Sequence, residues 1–419
     1  MDILAESSRI DPWLLNQQFF HGYLTREDLP SILRDHGDFL VRCSEAGKQK
    51  PREIIVSVMY DPEGKMKGMD RDIQMEAIRH IIVQSLSNNE QTHYYLDMNT
   101  KFPSIEELLM HHRVHPIIVN QVEVALKKGM PLATWEYPAK AVEVGKFLGT
   151  GPFGEIRKGK LTKRDGNVID VSVRMMKGRS DICKQQMREL IRQARLMREL
   201  AHPNVLRFHG VCFLQLPVLV LIELVSGGAL DAYLLDNKST IGKEEKVQMI
   251  ASAGSALKYL HLKEILLRDI AAKNCLYTAN KLLKISEFGW SRRGTVYKIK
   301  ANKKGNTKIE SFIKWMAPES IRTYTFSQKT DVYSYGMLIY EIFACEEPYA
   351  KMSTTAAKEA VLSGALNQFP TETPSTIINY VRGKMWNMDP DKRATITEIV
   401  QWMSSFIGPT PRTAVLAYH

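Results

Sequence analysis

The feature that most constrains this chain is a succession of short motifs running in order from Gly149 to Arg393. Gly149-Thr150-Gly151-Pro152-Phe153-Gly154 lies between two β-like runs and is followed by Val171-Ser172-Val173-Arg174. Then come Leu267-Arg268-Asp269-Ile270-Ala271-Ala272-Lys273-Asn274 and Glu287-Phe288-Gly289. Lys314-Trp315-Met316-Ala317-Pro318-Glu319, Asp331-Val332-Tyr333-Ser334-Tyr335-Gly336 and Arg393 complete the series. A glycine hexapeptide alone is weak evidence, because a hairpin turn has the same composition. The order and spacing of the series carry the weight.

The series occupies a block of about 260 residues beginning at Glu143. Strand periodicity over Val142 to Leu161 and Val168 to Met175 gives way to a helix predicted over Asp181 to Leu200. Later helices are predicted over Lys243 to His261, Thr330 to Phe343 and Ile396 to Phe406. A separate block precedes it, and from Asn120 to Val142 the pattern fades. The expected organisation is a tail (1–18), a first domain (19–119), a linker (120–142), a second domain (143–406) and a tail (407–419). A length of 419 residues suits two or three domains of ~100–200 residues.

Composition excludes several classes. With 44% hydrophobic and 25% charged residues the chain is neither collagen-like, disordered nor a disulfide scaffold. Five scattered cysteines, none paired at metal-ligand spacing, read as reduced thiols of a cytosolic protein. The N-terminus lacks a signal pattern, and the longest apolar run, Leu216 to Ile222, falls far short of the ~18–20 residues of a membrane helix. The net charge of +11 raises nucleic acid or an anionic membrane surface as partners.

In the first block Asp38 to Arg42 and Ile54 to Val58 look like strands, and Asp61-Pro62-Glu63-Gly64 like a turn leading into a hairpin. Ile78 to Leu86 is another β-rich run. Thr25-Arg26-Glu27-Asp28 reads as an N-cap followed by acids, and Ser104-Ile105-Glu106-Glu107 as a capping box. His111 and His115 stand at i,i+4, but no acid or cysteine joins them and Pro116 ends the helix, so no metal site is expected. Gly37 to Ser44 follows Phe20-His21-Gly22-Tyr23-Leu24 and precedes Arg79-His80-Ile81-Ile82-Val83-Gln84 and Phe102 to Leu108. This ordered set resembles an SH2 domain. The resemblance implies that Arg42 is a buried phosphate ligand and that Arg26, Ser44 and His80 line the same phosphotyrosine pocket. A planar guanidinium offers paired donors to a phosphate dianion, which lysine cannot reproduce.

The second block resembles the protein-kinase signature set, with features of the tyrosine-specific branch. With the SH2-like block and a short linker ahead, the chain is most similar to the Fes/Fer family of non-receptor tyrosine kinases, over about residues 20–405. That family usually carries a membrane-binding coiled-coil region ahead of its SH2 domain, for which this sequence leaves no room. The implied fold is α+β: an SH2 domain, with a central antiparallel sheet between two helices, followed by a bilobal kinase-like domain. The implied cofactors are ATP and Mg²⁺. Gly149, Gly151, Gly154, Ile156, Ser172, Arg174 and Glu223 would hold the nucleotide. Asn274 and Glu287 would hold the metal, and Asp269, Arg174 and Asn274 would serve catalysis, with Asp269 as base.

The departures from the family bear on function. Arg174 stands where the family has its phosphate-binding lysine, and Gln193 where a glutamate should pair with it. Glu287 replaces an aspartate and is one methylene longer, and magnesium tolerates poor geometry badly. Pro152 removes a backbone N–H from the glycine loop, and Leu267 replaces the catalytic-loop histidine. Lys158 or Glu189 could compensate; Lys177 has the wrong strand parity. Met197, Leu267 and Phe288 are expected in an apolar spine, Glu319 and Arg393 as a buried ion pair, and Asp331 as anchor of the catalytic loop. Tyr297 lies where the family has its regulatory phosphotyrosine. Between Trp290 and Lys314 eight Lys/Arg stand against Glu310 alone. Phe312 replaces a proline of the peptide platform.

Two readings follow. The first is a cytoplasmic phosphotyrosine-binding signalling protein with a catalytically impaired kinase-like domain, a pseudokinase that weakly binds or does not bind ATP and Mg²⁺. The second is an active non-receptor tyrosine kinase with protein tyrosine substrates. In both, phosphotyrosine-containing proteins are partners, nucleic acid is not, and membrane association is at most peripheral. The basic charge on the Asp181 to Leu200 helix and its approach, including Lys177, Arg179, Arg188, Arg192, Arg195 and Arg198, is expected to face phosphate.

Overall fold

The computed structural model describes residues 10–44, 53–87, 91–97, 100–119, 121–151, 153–176, 184–299 and 310–407. Pro152, Lys177, Arg179, Asp181 and the lysines at 300, 303, 304 and 308 lie outside the described residues. The chain forms two compact units, Met1–Arg198 with Phe208–Leu224, and Glu199–Arg207 with Val225–His419.

Among the described residues the first unit holds two larger sheets and two small two-stranded ones. Strands β1 (Asp38–Cys43), β2 (Ile54–Met59) and β3 (Ile78–Ile82) run antiparallel in the order β3-β2-β1. Every residue of β1 is buried, as a strand covered on both faces requires. Helix α1 (Pro12–Leu15) precedes this sheet, and α2 (Arg71–Ala77) lies between β2 and β3. The turn at Asp61 forms, its carboxylate accepting from the backbone of Lys65 and Met66 at 2.9 Å, but it opens a longer excursion through α2 rather than a direct hairpin. Strands β4 (Gln84–Ser87) and β5 (Thr92–Tyr95) form a small hairpin. Helix α3 (Ile105–His112) starts as expected, the Ser104 hydroxyl accepting from Glu107 N–H at 3.1 Å. The predicted helix after Thr25 is instead a 3₁₀ segment, Arg26–Ser31, with Pro30 inside it. Thr25 does not cap it: its hydroxyl donates to Asp28 at 3.0 Å, a local side-chain bond that competes with capping.

The 120–142 stretch is not patternless. Strands β6 (Ile117–Val119) and β7 (Val122–Val124) pair, and β8 (Lys128–Gly129) joins β1 in parallel, so the sheet is not wholly antiparallel. Tyr137 N–H donates to Val211 O at 2.8 Å, and Glu136 is buried against His21, Nδ1 to Oε2 at 2.9 Å. These are backbone and long-range pairings that side-chain periodicity does not reveal.

The second sheet comprises β9 (Val142–Gly151), β10 (Gly154–Thr162), β11 (Val168–Met176), β12 (Phe208–Cys212) and β13 (Leu219–Glu223), antiparallel in the order β12-β13-β11-β10-β9. Leu161, Val171, Val173, Leu219 and Leu221 form its core with Tyr137 and Cys212. Helix α4 (Lys184–Arg198) buries Met187, Leu190, Ile191, Ala194 and Met197, the 3–4 spacing of one apolar stripe.

The second unit is mainly helical: α5 (Leu230–Asp236), α6 (Lys243–Leu262), α7 (Pro318–Thr323), α8 (Gln328–Ala344), α9 (Thr354–Ser363), α10 (Ser375–Tyr380) and α11 (Ile396–Ile407). Helix α8, capped by Ser327 and Thr330, is buried from Thr330 to Ala344 and forms the centre of this unit. Short ladders pair β14 (Ile265–Leu266) with β17 (Arg292–Arg293), β15 (Cys275–Tyr277) with β16 (Leu283–Ile285), and β18 (Val296–Lys298) with β19 (Thr325–Ser327). The described cysteines are buried and none is in a disulfide. Among the described residues no helix is long and apolar enough to cross a membrane.

Candidate phosphate-binding sites

In the first sheet, strand alternation puts Leu40 and Arg42 on one face of β1, and Ser57 sits opposite Leu40 and beside His80 of β3. Arg42 is buried and its Nε donates to Ser57 Oγ at 3.1 Å; Ser57 Oγ lies 3.1 Å from His80 Nδ1. Burial, then the charges of Arg42 and Arg26, push the His80 imidazole down to about 4. The Ser44 hydroxyl accepts from Glu53 N–H at 2.9 Å, so its own proton is available to donate. Arg26 is exposed at the start of the 3₁₀ segment. The structure thus brings Arg42, His80 and the charge of Arg26 together. Ser57 was missed; its signal was a lone hydroxyl in Ile54-Ile55-Val56-Ser57-Val58-Met59 on the parity of the Arg42 face.

His111 and His115 rings lie 4.4 Å apart, and no group of three metal-ligating side chains occurs among the described residues.

The α4 arginines do not face a phosphate site. Arg195 Nε donates to Asp28 Oδ1 and its Nη2 to Asp28 Oδ2, both at 2.9 Å, and Nη2 also reaches the Thr25 hydroxyl at 2.7 Å. Arg198 lies 3.4 Å from the same carboxylate and stacks over Trp135 at 4.2 Å. Arg192 pairs with Glu189 at 2.9 Å. The expectation of phosphate-facing charge fails for Arg192, Arg195 and Arg198, because the partly exposed Glu189 and the buried Asp28 neutralise them.

Across the second sheet, Ile156 pairs with Gly149 on one side and Arg174 on the other, so the three form one row. Gly154 pairs with Gly151, Lys158 with Ser172, and Ser172 with Ile222. Glu223 pairs with Val171, on the opposite parity. Lys158 shares the Arg174 face, but its ammonium is bonded to Asp170 at 2.9 Å. Glu189 is held by Arg192, and Gln193 is buried. Neither compensating cation nor compensating acid is therefore free in this arrangement.

In the second unit, Asp331 accepts from the backbone N–H of Leu267 at 2.8 Å and of Arg268 at 2.9 Å, which anchors the catalytic loop as expected. Asn274 Nδ2 donates to Asp269 O at 3.0 Å, closing the same loop. Burial raises the Asp269 carboxyl to about 6, with Glu287 adding to the rise while Lys273, Asn274 and Arg268 oppose it. Its Oδ1 is buried without a hydrogen-bond partner. Glu287 Oε1 accepts from Gly289 N–H at 2.7 Å. The donor types of Asn274 and Glu287 suit Mg²⁺; an aspartate would make the same bond to the backbone two residues on, so what sets Glu287 apart is a carboxylate carried one methylene further, which leaves the fit to the metal incomplete. Glu319 and Arg393 form a bidentate pair at 2.7 and 2.8 Å. Met197, Leu267 and Phe288 are each buried.

Tyr297 lies on β18, with the Arg268 guanidinium 4.3 Å and that of Arg292 5.5 Å from its ring. Phe312 is buried against Trp290, ring centroids 5.0 Å apart.

Family models match both parts of the chain: SH2 domain over residues 19–112, and protein tyrosine and serine/threonine kinase over residues 142–403. Tyrosine-protein kinase Fer of Homo sapiens is 31% identical over 391 residues, 92% of this chain and 43% of that protein. Spermatocyte protein spe-8 of Caenorhabditis briggsae is 32% identical over 339 residues, 81% of this chain and 60% of that protein. The transforming protein Fps of an avian sarcoma virus (strain PRCII) is 30% identical over 397 residues, 93% of this chain and 67% of that protein. The chain spans about half the length of Fer, whose family uses ATP and Mg²⁺. An α+β chain with an SH2 domain followed by a kinase domain, it belongs to the protein tyrosine and serine/threonine kinase family and is homologous to the Fer/Fps tyrosine kinases.

Proposed function

We propose that this chain is a cytoplasmic signalling protein that docks on phosphotyrosine-bearing proteins through Arg42, Arg26, Ser44 and His80, and that its kinase domain is catalytically impaired. The observation that carries the impairment is the burial of Gln193, a neutral amide where the family pairs a glutamate with its phosphate-binding cation. Phosphoryl transfer is mostly positioning and charge neutralisation, so a displaced metal ligand together with Arg174 and Gln193 removes several parts at once. Mg·ATP would supply the transferable phosphoryl group; Asp269 would accept the substrate hydroxyl proton, and Asn274 would hold the loop. Tyr297, beside Arg268 and Arg292, serves as a phosphorylation site on this reading.

The competing reading, a working tyrosine kinase, draws on Asp269, whose carboxyl at about 6 is a better proton acceptor near neutral pH than an ordinary aspartate. Incubation of the purified chain with Mg·ATP distinguishes the two. The impaired kinase labels no tyrosine above an Asp269→Asn control, and Asp269-dependent labelling establishes the active one. Arg42→Leu is expected to abolish phosphopeptide binding while the domain stays folded; equal binding by this variant would remove the docking role.

A further inference from the structure

The contacts of Ser57 fix the direction of one hydrogen bond and point to that of a second. Arginine Nε–H can only donate, so in the 3.1 Å contact with Arg42 the Ser57 oxygen is the acceptor. The Ser57 proton is then free to donate along the other 3.1 Å contact, to His80 Nδ1. A histidine that accepts at Nδ1 while neutral carries its proton on Nε2. The oxygen has lone pairs for both Arg42 Nε–H and a His80 Nδ1–H, but a ring donating from Nδ1 would leave the buried Ser57 proton without an acceptor, since the side-chain contacts of Ser57 are with Arg42 and His80. Ser57 is fully buried in the middle of β2, where water cannot substitute for it.

We infer that Ser57 is a positioning residue of the phosphotyrosine pocket: by bridging Arg42 and His80 it holds His80 as the Nε2–H tautomer, ready to donate to a phosphate oxygen, and orients the Arg42 guanidinium at the same time. This rests on the phosphotyrosine-docking reading and adds to it a residue that never touches the ligand. The charged groups acting on His80 are Arg42 from β1 and Arg26 from the 3₁₀ segment, both cations that favour the neutral ring. Hydrogen bonding from Ser57 to that neutral form works in the same direction.

The test uses the whole chain and N-acetyl-phosphotyrosine amide as probe, titrated from pH 3.5 to pH 8 so that the range spans the His80 value of about 4. The probe's own ionisation, with a second pKa of about 6, is common to all variants and cancels in the ratio of their dissociation constants. Ser57→Ala is expected to weaken binding roughly fivefold at pH 8, the size of one lost hydrogen bond. The deficit should hold down to pH 5, where a ring at about 4 is still neutral, and shrink towards pH 3.5, because a protonated ring donates from Nε2 whatever its neighbour. Ser57→Thr, which keeps the hydroxyl, should bind within about twofold of the unmodified chain. Nitrogen NMR of His80 without ligand should show the Nε2–H tautomer in the unmodified chain and a mixture in Ser57→Ala, which reads the relay even if affinity changes are small. A deficit equal at all pH values with an unchanged tautomer would overturn the positioning role. If the unmodified chain binds no probe at any pH while Arg42→Leu is also silent, the docking reading itself fails.

Discussion

Arg195 of α4 grips the buried carboxylate of Asp28 with two parallel N–H···O contacts of 2.9 Å, joining the first domain to the first helix of the kinase sheet. Asp28 also faces Arg198, so removing it leaves two guanidinium groups without their shared acid. Asp28→Ala is expected to cost about 2–3 kcal/mol, below the 3–5 of a fully buried pair because Arg195 is partly exposed. Arg195→Ala should cost less, since Arg198 remains. A double-mutant cycle by chemical denaturation checks this, and additive effects would show that the two residues do not interact.

Burial raises the Asp269 carboxyl from 3.8 to about 6, so ionising it opposes folding. The penalty is absent below the unfolded value, grows as pH rises through this interval and is complete above it, reaching at most about 3 kcal/mol. Asp269→Asn is therefore expected to melt higher than the unmodified chain at pH 7.5, with the advantage gone near pH 4. Thermal scans at the two pH values measure it; a constant difference would mean that the carboxyl is not desolvated.

Much of this was legible in the sequence, for identifiable reasons. Helices α4, α6, α8 and α11 were placed within a few residues because each carries a 3.6-residue apolar period or a clear cap. Arg42, His80, Asp331 and the Glu319–Arg393 pair were marked by motif order, and the structure brings the last two into the expected contacts. What failed to show were partners distant in the chain. The sequence of α4 records five cations, but not that Asp28 lies across from Arg195. Lys158 has the right parity for the cleft face, but the acid that engages it, Asp170, is on another strand. Ser57 is a small polar residue in an apolar strand, and only the pairing register reveals what it touches.

Glu319 and Arg393 meet in a bidentate pair whose arginine side chain is completely buried, and Arg393 also donates to Lys329 O at 3.1 Å. Glu319→Ala leaves that guanidinium uncompensated and should lower stability by about 3–5 kcal/mol. Glu319→Gln, which keeps an acceptor, should recover part of it. Circular-dichroism melts of the two variants give the comparison, and equal losses would assign the effect to lost charge alone.

The length of Glu287 leads to the sharpest chemical expectation. One methylene displaces its carboxylate from where the family's aspartate stands, and Mg²⁺ demands near-ideal octahedral geometry. Shortening the side chain in Glu287→Asp, together with Arg174→Lys, restores a compact ammonium and a shorter acid. In the unmodified chain Mg²⁺ should add nothing to any ATP-induced rise in melting temperature. The double variant should gain a Mg²⁺-dependent stabilisation of about 1 kcal/mol at a ligand concentration five times its dissociation constant, which is ~2–4 °C for a domain of this size. A Mg²⁺-dependent shift of the same size in the unmodified chain would show that Glu287 ligates the metal despite its length, and would move the function back towards catalysis.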